Sequence, residues 1–154
     1  MGAELTTIED AVRIPPWLDG RTASLVRAIV AEVASRHPDL RAVLLFGSIA
    51  RHEERPLTDV EPSDVDLLFV FDLEPHLSRL PYNRLIAIYE AVGEARERYP
   101  RTPREVQVAL VVRDLANWDP MFVSNLARDG LLLWSRGPLP PALAEVETRA
   151  MAAN

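Results

Sequence analysis

The chain has 154 residues, 48% apolar and 26% charged, which suits one water-soluble globular domain with a sizeable core. It has no cysteine, so disulfides, zinc–thiolate sites and thiol catalysis are excluded, and a reducing compartment, taken as the cytoplasm, is expected. A net charge of -6 argues against a broad nucleic-acid-binding surface, leaving only a local basic pocket open.

No apolar run approaches the roughly 18 residues of a membrane span. Met1 to Asp10 lacks the basic-then-apolar order of a secretion signal. Residues 1–18 are expected to be an N-terminal arm, irregular to Pro16, before a single domain over 19–154. Asp19 is placed to cap a helix from Gly20 to Arg36, whose Leu25, Val26, Ile29, Val30 and Val33 form one apolar stripe. His37-Pro38 ends it, because proline disfavours helix in the residue before it. Arg41 to Phe46 is apolar after its first residue and reads as a central strand.

Gly47 to about Glu54 is expected to start a short helix, followed by an acidic, proline-containing loop to Pro62. Val65 to Phe71 is a second buried strand. After a connection from Asp72 to Pro81, a helix from Tyr82 to Tyr99 would turn Leu85, Ile86, Ile88, Tyr89 and Val92 inward. Glu105 to Val112 is a third strand. Asp119 or Pro120 opens a helix to Arg128, and Asp129-Gly130 suggests a left-handed glycine cap. Leu131 to Ser135 makes a last strand and Ala142 to Met151 a final helix. This order predicts an α+β fold: a mixed sheet of three to five strands covered by helices.

Chemistry concentrates in Phe46-Gly47-Ser48-Ile49-Ala50-Arg51 and Ser63-Asp64-Val65-Asp66. Alternate residues of a strand share a face, so Asp64 and Asp66 project together, about 6.6 Å apart along the strand. Two carboxylates so placed repel unless a cation lies between them, and hard oxygen ligands suit Mg²⁺. A glycine–serine turn at a helix start offers free backbone N–H groups to phosphate. Against this stand plainer readings: a solvated strand start for the acids and a simple helix cap for Gly47 and Ser48. Arg51 could meet a phosphate, or pair with Asp64 or a loop glutamate. His52 is a lone surface histidine, and Trp17, Trp118 and Trp134 read as packing anchors.

Taken together these residues resemble the signature of the DNA polymerase beta-like nucleotidyltransferases, in particular the minimal (MNT) branch found as antitoxins. The resemblance runs over roughly Ala42 to Val112. It implies a nucleotidyltransferase-like fold and Mg²⁺-dependent transfer of a nucleoside monophosphate, AMP from ATP by expectation, to a hydroxyl acceptor. It implies metal binding by Asp64 and Asp66, and nucleotide binding by Gly47, Ser48 and Arg51. It also implies an acceptor that a helical toxin partner can supply. Self-association is left open.

Two departures matter. The Ile49–Ser63 interval has fifteen residues where the small branch commonly has ten, and the excess falls in the loop. The family's third carboxylate is also missing from its usual place, where Gln107 stands in Val106-Gln107-Val108. Glutamine cannot act as a base at neutral pH. Glu105 lies two residues earlier, on the same strand face by parity, and is the candidate replacement. The competing reading is a nucleotide-binding or partner-docking module with impaired catalysis.

Overall fold

The computed structural model describes residues 2–73, 77, 79–112 and 118–152. Four strands form one mixed sheet: β1 (Leu40–Phe46), β2 (Val65–Phe71), β3 (Val106–Val112) and β4 (Leu131–Ser135), in the spatial order β3-β2-β1-β4. β1 runs antiparallel to both β2 and β4, whereas β2 and β3 are parallel. A parallel pair needs a crossover, and α3 (Tyr82–Arg98) supplies it. The expected α+β architecture is therefore present, with a sheet of four strands.

Parity sorts the two faces. Val43, Leu45, Leu67 and Phe69 look toward one core, under α2 (Gly20–Arg36) and α3. Ala42, Leu44, Leu68 and Val70 look toward the other, under α4 (Pro120–Asp129) and α5 (Ala144–Ala152). β1 and β2 are buried on both faces, which explains their continuous apolar sequence. Asp19 caps α2 as expected, its carboxylate accepting the Thr22 N–H at 2.9 Å.

Several expectations are corrected. The first residues are helical, not irregular: α1 spans Gly2–Ala11 and packs on α2. Leu5, Ile8 and Val12 sit at i, i+3 and i+7, a stripe too short to stand out, yet Val12 is buried and Ile8 packs on the core. On α3, Ile88 and Val92 are buried and Leu85 is partly so, but Ile86 and Tyr89 are exposed. The buried set is Ile88, Ala91, Val92 and Ala95, so small alanines face the core where larger residues were expected.

Gly130 ends α4 without a left-handed turn, at φ -63°. It is required for space, since a Cβ there would lie 2.5 Å from the Leu126 carbonyl oxygen. The final helix begins as a short 3-10 turn at Pro141–Leu143 before α5. The connection from Asp72 to Pro81, with His76, lies partly outside the described residues.

Candidate functional site

The expected helix after Gly47 is a single turn. Arg51 N–H reaches the Gly47 carbonyl at 3.3 Å, His52 N–H the Ile49 carbonyl at 3.1 Å, and Glu53 N–H the Ser48 carbonyl at 2.9 Å. The last two bonds, with His52 at φ 57°, form a Schellman ending. Pro56 four residues on would in any case have stopped a longer helix at Arg55. Among the described residues, the N–H groups of Ser48, Ile49 and Ala50 have no hydrogen-bond partner.

Antiparallel pairing sets Phe46 opposite Asp66, so the chain leaves β1 at Gly47 directly beside that acid. Gly47 has φ +83°, and a Cβ there would sit 2.6 Å from Asp66 Oδ2. Only glycine permits both the backbone angle and this approach. The turn and the acid thus meet in space, as the sequence reading required.

Asp64 and Asp66 lie on the sheet face toward α4 and are half-buried. Burial, and then the neighbouring Asp64 charge, push the Asp66 carboxyl above the usual carboxylate range. Among the described residues neither acid forms a salt bridge. The parallel register places Gln107 opposite Asp66, and its side-chain amide donates to Asp64 Oδ2 at 2.8 Å. A neutral donor therefore occupies the side of the acid pair where the resemblance implied a third carboxylate.

Glu105 is exposed, just before β3, and lines a cavity of about 390 Å³ with Leu25, Arg96, Tyr99, Thr102 and Gln107. Among the described residues no three acidic or histidine side chains cluster as a metal site, so Glu105 does not join Asp64 and Asp66 here. Arg51 is exposed and approaches Glu53 at 3.4 Å, the loop-glutamate alternative. It also lies near enough to Asp129 to help hold that carboxyl below its ordinary range, after the larger effect of the Arg128 hydrogen bond.

Sequence reading does not single out Arg104, and Trp17, which packs on the core as expected, makes further contacts at the site. Arg104, almost fully buried, donates to the carbonyls of Arg55 at 2.9 Å and Ser63 at 2.8 Å. Ser63 Oγ in turn accepts the Arg55 N–H at 2.7 Å. These bonds close the base of the acidic loop immediately before Asp64. Trp17 donates its indole N–H to the Ile49 carbonyl at 2.7 Å and stacks on His52, with centroids 4.5 Å apart. Neither contact has a local sequence signal, because both partners are distant in the chain.

No family model and no curated protein matches the chain. Among solved structures it is similar to a candidate nucleotidyltransferase of Sulfolobus solfataricus, at 25% identity and a TM-score of 0.43. That match covers 79% of this chain and 92% of the other. It is also similar to a toxin–antitoxin structure with AMP-PNP, at 20% identity and a TM-score of 0.45, covering 82% of this chain and 85% of that one.

Proposed function

We propose that the protein binds a nucleoside triphosphate together with Mg²⁺ at the Gly47–Asp66 corner. There it transfers a nucleoside monophosphate, AMP from ATP by expectation, to a hydroxyl acceptor. The observation that carries this reading is the contact of the Gly47 backbone with Asp66. It joins a turn whose Ser48–Ala50 N–H groups have no partner among the described residues to two carboxylates that form no salt bridge among them.

The donor set fits the metal. Two carboxylates on one strand face, one of them pushed toward its neutral form by burial and by its neighbour, gain from a hard divalent cation between them. Such a cation, when bound, supplies charge neutralisation and orientation of the phosphoryl group. The chain's own part is separate. The Ser48–Ala50 amides and the Ser48 hydroxyl would hold phosphate oxygens. Gly47 would let the backbone approach them, and Arg51 would add charge at the rim. The half-buried position of the acids limits competing water.

The Gln107–Asp64 hydrogen bond favours a second reading, in which nucleotide and metal bind but transfer is slow or absent. In that case the domain would act by docking on a partner. On the first reading the family resemblance suggests an acceptor hydroxyl on a helical toxin.

Calorimetric titration of ATP with and without Mg²⁺ tests the core of both readings. Binding that requires Mg²⁺ and disappears in Asp66→Asn is expected. Equal ATP affinity in EDTA and in Asp66→Asn would refute a metal role for the acids. Transfer of label from α-labelled ATP to a co-purified partner then separates enzyme from docking module.

A further inference from the structure

The segment before α2 reaches both halves of the corner. Its start is tied to the edge of the sheet, where Arg13 N–H donates to the Leu133 carbonyl at 2.8 Å. Its end is tied to α2 by the Asp19 cap. Between these anchors, Pro15 and Pro16 restrict the backbone, and Leu18 N–H closes a turn on the Pro15 carbonyl at 3.1 Å. Trp17 is thereby presented, half-buried, to the turn that follows β1.

Two contacts join it there. The indole N–H takes the Ile49 carbonyl, and the ring lies nearly parallel to His52, at an interplanar angle of 11°. His52 is the left-handed residue that ends the turn, a conformation that a non-glycine side chain adopts at some cost. The Ile49 carbonyl already accepts the His52 N–H, so Trp17 supplies its second bond. Both contacts sit on the carbonyl end of the turn, leaving its N–H end open. Two residues on, Asp19 Oδ1 lies 4.0 Å from Arg104 Nε, and Arg104 holds the carbonyls of Arg55 and Ser63 just before Asp64.

We infer that residues 13–19 are a strap that sets the Gly47–Ser48 turn against the Asp64–Asp66 pair, with Trp17 as its positioning residue for nucleotide binding. The inference rests on the nucleotide reading above. It follows from connectivity: the turn and the acids belong to different strands, and the strap bonds the backbone leading out of one and reaches the backbone leading into the other through Arg104. Trp17 touches no ligand in this scheme. It acts through Ile49 and His52, so its removal loosens the phosphate-facing amides without removing a donor.

The test uses MgATP. Trp17→Phe keeps an aromatic ring for His52 but loses the indole N–H. It should weaken MgATP affinity about fivefold, the worth of one hydrogen bond. Circular dichroism without ligand should match wild type, and the melting temperature should fall by no more than about 2–4 °C. A second measurement avoids reliance on that variant. The chain has three tryptophans, so Trp118→Phe with Trp134→Phe leaves Trp17 as the sole tryptophan, whose red-shifted emission is separable from that of the tyrosines. Its fluorescence should change on adding MgATP and not on adding Mg²⁺ alone.

Wild-type affinity in Trp17→Phe, or unchanged Trp17 emission on saturation with MgATP, would overturn the strap while leaving the nucleotide reading intact. Failure of the wild-type protein to bind MgATP would overturn both.

Discussion

At Gly47 two demands coincide that no other residue meets: a left-handed backbone at φ +83° and the absence of a Cβ where Asp66 Oδ2 lies. Gly47→Ala should therefore destabilise the fold by about 1–2 kcal/mol, the cost of forcing an alanine into that region. It should also abolish MgATP binding by pushing Asp66 aside. Urea denaturation and calorimetry measure the two effects separately. Asp66→Asn behaves oppositely with respect to the fold. It removes a charge that burial and Asp64 disfavour, so the melting temperature should hold or rise while Mg²⁺-dependent binding is lost. Gln107→Asp replaces a donor to Asp64 with a third carboxylate. In EDTA its melting temperature should fall by roughly 2–4 °C, the shift expected for about 1 kcal/mol in a chain of this size. Millimolar Mg²⁺ should restore it. A variant that stays destabilised in Mg²⁺ would show that these carboxylates do not share an ion.

The turn after β1 is shorter than the expected helix, and the loop before β2 is a loop as expected. The turn has helical hydrogen bonds for one turn only, because the Schellman ending at His52 and Glu53 closes it. The loop keeps its fifteen-residue interval without displacing Asp64 because Arg104 and Ser63 pin its two ends together at Arg55 and Ser63. Loop length then has little bearing on the acid pair, since the base is fixed and only the tip is free. Arg104→Leu leaves the buried Ser63 carbonyl and the part-buried Arg55 carbonyl without their charged donor. It should lower stability by about 2–3 kcal/mol, measured by denaturant midpoint. Deletion of residues 57–60, at the exposed tip, should be tolerated within about 1 kcal/mol by the same measurement.

Across the whole molecule, the junction of α2 with β1 carries a pH dependence unrelated to the candidate site. His37 is buried against Phe71, with Arg84 hydrogen-bonded to both His37 and Asp39. Burial lowers its pKa most, and the charges of Arg84 and Arg36 lower it further against an opposing pull from Asp39. The folded protein therefore keeps His37 neutral while the unfolded chain takes up a proton near pH 6.5. Stability should fall as the pH drops from about 7 through that value, and level off below the lowered folded pKa. His37→Asn should flatten the difference between urea midpoints at pH 7.5 and 5.5. An unchanged slope would place the proton uptake elsewhere.

The sequence by itself determined the four strands, the main helices and the pairing of a Gly–Ser turn with two alternating acids. These depend on local periodicity, on proline and glycine stops, and on Asp19 as a cap, all written within a few residues of one another. The family resemblance also marked Gln107 as a departure, and strand parity put Glu105 on the same face as it. Tertiary structure decided the rest. It brought Gly47 against Asp66 through antiparallel pairing, directed Gln107 onto Asp64 through the β2–β3 register, and left Glu105 outside that group. It also turned an expected loose arm into α1 and a strap. The physical reason is that such contacts join residues tens of positions apart. Their free energy comes from burial and from hydrogen bonds whose partners cannot be identified until the chain has folded.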